Sequence, residues 1–159
     1  MCIIQLFIPV ILSVVECLGQ TGCLSSVPTV SNVHRCPGNV SEWVKASERK
    51  RCSLVRQNCS SDSEFQYHCL INAEINGMVE VCIPIRRIVG SFCPFYDSKK
   101  ARIENHYHLS CKEHKFNCPE HYQSNEAYKY QGCYSAVFGQ EFTNKTKRGE
   151  NVNDIQIFQ

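Results

Sequence analysis

Long apolar segments are scarce in this sequence of 159 residues. The run from Ile3 to Val15 spans about 13 residues, whereas a membrane-spanning helix needs roughly 20. It fits the apolar region of a secretory signal peptide, with the small residues Cys17 and Gly19 just before the expected cleavage site. We therefore predict a signal peptide over residues 1–19, no membrane span after its cleavage, and a secreted, extracellular protein.

The sequence also lacks the closely spaced cysteine pairs that are typical of zinc sites. Such pairs usually have about two to four residues between them, whereas Cys52/Cys59 and Cys111/Cys118 each have six. Two of the twelve cysteines lie in the signal peptide, and the even number that remains fits complete pairing in an oxidising compartment. We expect disulfides at the ten remaining cysteines: Cys23, Cys36, Cys52, Cys59, Cys69, Cys82, Cys93, Cys111, Cys118 and Cys133.

Motifs of familiar catalytic sites are missing as well. The sequence has no Gly-x-Ser-x-Gly, no glycine-rich phosphate loop and no His-Glu-x-x-His. Aspartate is rare after residue 19, where only Asp62, Asp97 and Asp154 occur, and none of them is close to the histidines in sequence. We predict that the protein is not an enzyme and that it needs no cofactor.

Charge is nearly balanced, which argues against a nucleic-acid partner. The formal net charge is +2 at pH 7, and removal of Glu16 with the signal peptide raises it to +3. Basic residues do form short clusters at 49–51, 86–87, 99–102 and 145–148. A solvated surface is the simpler interpretation, and a face for sulfated glycans or acidic lipids is the alternative if the clusters converge. The pair at 147–148 is also a candidate processing site.

The strongest candidate for chemistry is the sequence His106-Tyr107-His108. Alternation along a strand places both imidazoles on one face, where a third from His114 or His121 could complete a metal site. Polar neighbours such as Glu104 are typical of exposed surface. We therefore predict no metal site, and we keep a secreted enzyme or toxin-like effector that uses His106 and His108 as the alternative function.

Local patterns predict one helix and several short strands. Pro37-Gly38 followed by Asn39-x-x-Glu42 indicates a capped helix from Asn39 to Arg51, with Trp43 facing the core. The segment Glu74–Pro84 suits either a buried strand or a helical turn. Further strands are expected over Phe65–Ile71, Phe92–Tyr96 and Arg102–Leu109, and a short helix from Ser124.

The predicted fold is a small disulfide-rich α+β domain in which one N-terminal helix packs on a short antiparallel sheet with long loops. The signal peptide is followed by a polar N-terminal arm over residues 20–35, the disulfide-rich extracellular domain over 36–135 and a polar, disordered tail over 136–159. Asn39, Asn58 and Asn144 fit the N-glycosylation pattern.

An ordered series of motifs runs through the expected domain. It consists of Cys36-Pro37, Glu42-Trp43, Cys52, Tyr67-His68-Cys69, Glu80-Val81-Cys82, Gly90-Ser91-Phe92-Cys93, Cys111, Cys118-Pro119-x-x-Tyr122, Ser124 and Tyr128-Lys129-Tyr130-x-x-Cys133. The series resembles a family of predicted cysteine-rich extracellular proteins that is expanded in bivalve molluscs. Members of that family usually carry eight cysteines over this span, so the resemblance implies that the two extra ones, Cys23 and Cys59, pair with each other. It implies an architecture and no mechanism.

These features together predict a secreted binding or recognition module, for example a soluble receptor-like or immune factor. Its partner would be an extracellular protein or glycan. Tyrosine is enriched at interfaces, so the expected contact residues are Tyr122, Tyr128, Lys129 and Tyr130, with Tyr134 nearby. The alternative is that these rings simply pack in a small core.

Overall fold

The structure is a computed structural model that describes residues 22–59, 64–112 and 117–137. The predicted signal peptide, His114, Asn144 and the tail from residue 138 lie outside the described residues. The strands and the α-helix are β1 (Ser31–Val33), α1 (Val40–Lys50), β2 (Gln66–Asn72), β3 (Met78–Ile83), β4 (Arg87–Val89), β5 (Phe92–Asp97), β6 (Arg102–Ser110) and β7 (His121–Gln123). Segments of 3-10 helix cover Leu24–Thr29, Cys52–Leu54 and Ser124–Lys129, and residues 132–137 are helical.

Most of the regular structure belongs to a five-stranded sheet with the order β1-β3-β2-β5-β6. Its pairs are antiparallel except β2 and β5, which run parallel where Ile71 lies opposite Phe95. A second sheet contains only β4 and β7, paired antiparallel with Ile88 opposite Tyr122. The prediction of a helix on a sheet is thus confirmed in part. The sheet is mixed rather than antiparallel: β3 and β4 lie between β2 and β5 in the chain, which provides the long connection that a parallel pair needs.

The helix α1 begins where its sequence signal placed it. The Asn39 side-chain oxygen accepts a hydrogen bond from the Glu42 backbone N–H at 2.9 Å. The Glu42 carboxylate reaches back one residue further than in a standard capping box and accepts from the Gly38 N–H at 3.0 Å. The helix ends at Arg51, which adopts the left-handed conformation with φ 51°.

The strands predicted over Phe65–Ile71, Phe92–Tyr96 and Arg102–Leu109 are present as β2, β5 and β6. The ambiguous segment forms the strand β3, which is buried along its whole length between β1 and β2. Trp43 packs against the core as predicted, edge-on to Tyr67 at 5.9 Å and stacked on Tyr128 at 5.6 Å between ring centroids. Among the described residues, no helix has the length and apolar character that a membrane crossing requires.

Five disulfides connect all ten of the described cysteines. The pairs are Cys23–Cys59, Cys36–Cys69, Cys52–Cys82, Cys93–Cys133 and Cys111–Cys118. The first is the pair that the resemblance implied. The second and third fix the two ends of α1 to β2 and β3, since Cys36 precedes the helix and Cys52 follows it. These bridges therefore hold the helix on the sheet at both ends.

The N-terminal segment is part of this framework. Residues 22–35, expected as an arm, supply the edge strand β1 and the 3-10 helix before it. Ser26 is fully buried and its hydroxyl lies 2.9 Å from the phenol oxygen of Tyr96. The Cys23 N–H donates to the carbonyl of Ala101 at 2.7 Å. The ordered domain thus includes residues that precede Cys36.

The cap of α1 allows a test of stability. Replacing Asn39 by Ala should lower the free energy of unfolding by about 1 kcal/mol, because the Glu42 N–H loses its acceptor. Ser41→Ala is the matched control, since it removes the same glycosylation pattern and leaves the cap in place. Urea unfolding of both secreted variants measures the difference, and equal losses in the two would assign the effect to the glycan instead.

Candidate functional site

The structure packs most of the tyrosine-rich stretch into the core. Tyr122, Tyr128 and Tyr134 are buried, Tyr130 is half-buried and Lys129 is exposed. Burial of their phenols raises the pKa of Tyr122 and of Tyr134 above the ordinary value. The alternative that these rings pack in a small core therefore fits the burial of Tyr122, Tyr128 and Tyr134, and contact of this stretch with a partner stays a prediction.

The buried phenols serve the fold through hydrogen bonds. The Tyr122 hydroxyl donates to the carbonyl of Phe92 at 2.6 Å, and the Tyr134 hydroxyl donates to the carbonyl of Cys69 at 2.9 Å. Lys129 is held in an ion pair with Glu126 at 2.5 Å. These polar groups are thus engaged within the chain, as buried hydroxyls require.

The β4–β7 sheet presents a different surface, which sequence reasoning missed. Alternation turns Ile88 and Tyr122 inward. The exposed residues on and beside the two strands are Ile85, Arg87, Val89, His121 and Gln123, which we call the ribbon face. Ile85 is 39% and Val89 is 41% exposed, a large fraction for apolar side chains. Most of this face, with Tyr122, lines a shallow depression of about 360 Å³.

Backbone contacts anchor the ribbon face to the rest of the domain. The Gly90 N–H donates to the carbonyl of Glu120 at 2.8 Å, and the Ser124 N–H donates to the carbonyl of Arg86 at 2.9 Å. The Asn105 side chain of β6 donates to the Val89 carbonyl at 3.1 Å. Gly90 has φ 77°, and a Cβ there would lie 2.7 Å from the Phe92 ring, so the turn into β5 needs glycine.

A buried serine–histidine pair lies directly behind the ribbon face. The Ser124 hydroxyl is 2.8 Å from Nε2 of His68, and Nδ1 of His68 is 3.0 Å from the carbonyl of Gln66. Since a carbonyl only accepts, Nδ1 carries the proton and Nε2 accepts from Ser124, whose oxygen accepts in turn from the Arg86 N–H at 2.9 Å. Serine and histidine are residue types of nucleophilic sites. Both side chains are fully buried here, however, so the pair has no access to solvent and is placed as a structural contact.

Another buried polar group was not expected from the sequence. Glu80 on β3 is 7% exposed and accepts from Arg49 at 2.5 Å and from the Tyr67 hydroxyl at 2.8 Å. Burial and this carboxylate raise the pKa of Tyr67. Arg49 and Glu80 are 31 residues apart, so no local pattern could have shown the pair.

In the described part of the chain, one side chain from each of three basic clusters is engaged in a contact within the domain. Besides Arg49, which pairs with Glu80, Lys100 pairs with Asp97 and Glu104 at 3.3 and 3.4 Å. The Arg86 guanidinium donates to the carbonyl of Ile103 at 2.6 Å. Carboxylates and backbone oxygens thus engage much of the basic charge, which favours the simpler interpretation of these clusters as a balanced surface.

His106 and His108 do lie side by side on β6, with ring centroids 6.2 Å apart. His106 is half-buried and His108 is exposed. In the described part of the chain, neither imidazole is hydrogen-bonded to a carboxylate, and Glu104 is engaged with Lys100 and Arg102. The enzyme alternative requires such a carboxylate, and it remains a prediction without a geometric partner.

The predicted glycosylation sites that the structure describes are both accessible. Asn39 and Asn58 are exposed, the first as the cap of α1 and the second beside the Cys23–Cys59 disulfide. Glycosylation of either residue stays a prediction. Comparison of the chain with protein-family models, with curated proteins and with solved structures gives no match.

Proposed function

We propose that this protein is a secreted, disulfide-stabilised recognition module that binds an extracellular protein through its ribbon face. The observation that carries the proposal is the exposure of Ile85 and Val89 on either side of Arg87, next to a shallow depression that Ile85 and Arg87 line. The buried centre of a protein interface is more apolar than the surrounding surface, and arginine is enriched there. A glycan partner would instead favour a face dominated by hydrogen-bonding groups.

The framework behind this face supports the proposal. Five disulfides persist in oxidising compartments and are rare in the cytosol. Together with the signal peptide predicted over residues 1–19, they favour an extracellular site of action. The resemblance to the cysteine-rich family of bivalve molluscs agrees with this location and adds no partner.

Rigidity is the second support. A surface that is ordered before binding loses less conformational entropy in the complex. The ribbon face is fixed by the hydrogen bonds at Gly90 and Ser124 and by the buried Tyr122 beneath it. A surface that is ordered in this way is better suited to recognising a partner than to serving as a flexible linker.

A photo-crosslinking experiment tests the proposed surface. We expect a photoreactive phenylalanine analogue at Gln123 to capture an extracellular protein of the source organism that the same analogue at Leu54 does not capture. Leu54 is the control because it is 73% exposed and belongs to a different surface, beside the end of α1. Capture by both positions would show that the contact is not confined to the ribbon face.

Binding of the captured partner then gives a quantitative prediction. Val89→Asp should weaken the complex by at least about tenfold, or 1.4 kcal/mol, because it places a charge in the apolar part of the face. Val44→Asp on α1 is the matched control, since Val44 is 40% exposed. Surface plasmon resonance measures both. Equal affinities for the two variants, or full competition by a glycan, would overturn the assignment to a protein-binding ribbon face.

A further inference from the structure

The two histidines of β6 form a pair that the proposed recognition function does not use. His106 and His108 are two residues apart on one strand, so their side chains share a face of the sheet. Their ring centroids are 6.2 Å apart with an interplanar angle of 72°. Nδ1 of His106 has no hydrogen-bond partner among the described residues. The fold has therefore left at least one buried imidazole nitrogen unused beside a second, exposed imidazole.

One of the two rings is held firmly by its surroundings. His106 lies opposite Cys93 in the pairing of β5 with β6, and its ring packs edge-on against Phe95 at 5.5 Å. His108 is exposed and lies in the irregular stretch of β6 between His106, which pairs with Cys93, and Ser110, which pairs with Phe92. A packed imidazole next to an exposed one is suited to chelation, because the exposed ring has room to turn its nitrogen toward a shared ion.

We propose that His106 and His108 form a two-histidine site for a divalent transition-metal ion, with copper(II) as the preferred ion. Imidazole nitrogens bind copper, nickel and zinc, and copper(II) is the tightest of the first-row divalent ions at a given site. Structural zinc sites need about four protein ligands. Within the described ranges the one group of three metal-ligand side chains is Cys93, Cys111 and Cys133, whose sulfurs are already bridged. Water or a second molecule would fill the open positions on the ion.

The sequence alone predicts no metal site here, because polar neighbours such as Glu104 are typical of exposed surface. Two imidazoles suffice for an exposed copper(II) chelate, since the second binds the ion intramolecularly once the first has bound it. The same effect determines how much affinity for copper(II) is lost when one of the two imidazoles is removed.

Titration of the secreted protein with copper(II) chloride at pH 7 tests the proposal. We expect one equivalent to bind, with nitrogen hyperfine structure from two imidazoles in the electron paramagnetic resonance spectrum. His106→Asn and His108→Asn should each weaken binding on the order of 100-fold, because each leaves a single imidazole. His34→Asn is the matched control, since His34 is exposed and lies before α1, far from β6 in sequence. It should leave binding unchanged.

Three results would overturn the two-histidine site. These are no binding of copper(II), a spectrum with a single nitrogen ligand, or binding that survives both His106→Asn and His108→Asn. Unchanged urea midpoints of the variants would show that a loss of binding is not a loss of folding. Because the ribbon face contains neither residue, failure of the metal site leaves the recognition proposal untouched.

Discussion

Lowering the pH from 7 to 4 should reduce the free energy of unfolding by about 3 kcal/mol through His68 alone. Burial lowers the pKa of His68 from 6.5 to about 4 in the folded protein. The side chain is fully buried, and its Nε2 accepts a hydrogen bond from Ser124. A proton on Nε2 would remove that acceptor and place an uncompensated charge in the core.

The direction of the effect follows from the two pKa values. Between pH 6.5 and 4 the unfolded chain binds a proton at His68 and the folded chain does not, so stability falls with the pH over this window. Above pH 6.5 both states are neutral, and below about pH 4 both are protonated. His68 therefore contributes its full stabilisation above the window and none of it below.

His68→Gln isolates this contribution. The glutamine amide can donate to the Gln66 carbonyl and its oxygen can accept from Ser124, so the polar contacts have a neutral substitute. Urea unfolding at several pH values should show wild type losing about 3 kcal/mol more than the variant between pH 7 and 4. Parallel pH dependences would mean that His68 is not the group responsible. His106, whose pKa is also lowered, contributes equally to both proteins.

Features of this fold that are set by nearby residues could be predicted from the sequence. The cap of α1 depends on Asn39 and Glu42, which are three residues apart, and the longer strands β2, β5 and β6 carry enough alternation to be recognised. The pairing of Cys23 with Cys59 came from a resemblance and could not have been derived from spacing.

Features that depend on distant partners could not be predicted. The strands β1, β4 and β7 are three residues long, and each exists because of a strand far along the chain, as when Ser31 lies opposite Glu80 and Arg87 opposite Gln123. Three residues are too few for a periodic signal. The ribbon face lies on two of these strands, so the candidate site depended on information that the local sequence does not contain.

The tyrosines show the same limit at the level of single side chains. Tyrosine suits an interface and a small core for the same reason, since it combines a large apolar ring with a hydroxyl. The Tyr122 hydroxyl donates to the carbonyl of Phe92, 30 residues away, and the Tyr134 hydroxyl donates to the carbonyl of Cys69. The burial of both rings therefore depends on distant partners. These two tyrosines thus serve the core, where their rings are buried and their hydroxyls reach backbone acceptors.

Replacing Cys118 by Ser should rearrange the Cys93–Cys133 disulfide, which lies close to Cys111. The sulfurs of Cys93, Cys111 and Cys133 lie within 4.8 Å of one another, although Cys111 pairs with Cys118. Without Cys118, the Cys111 thiolate can attack either sulfur of the Cys93–Cys133 disulfide. A new bond to Cys111 forms, the old bond breaks, and the displaced sulfur leaves as a thiolate that takes up a proton.

Peptide mapping of the non-reduced variant measures this exchange. We expect a substantial fraction of Cys93–Cys111 or Cys111–Cys133 pairs in Cys118→Ser. The Cys111 sulfur already lies next to the disulfide that it attacks, so no loop has to close before the exchange. Cys59→Ser is the matched control: it frees Cys23, and no other disulfide of residues 22–59, 64–112 and 117–137 lies as close to that sulfur. The other four native pairs should therefore remain intact in the control.

The double variant Cys111→Ala/Cys118→Ala separates exchange from simple loss of a bridge. Its disulfide closes a loop with a sequence separation of only 7, so removal should cost about 2 kcal/mol on the chain-entropy account. Cys118→Ser should be less stable than this double variant, because exchange also breaks the bridge that ties β5 to residues 132–137, at a separation of 40. If Cys118→Ser instead keeps Cys93–Cys133 and matches the double variant in urea, the buried sulfurs are close without being reactive toward one another.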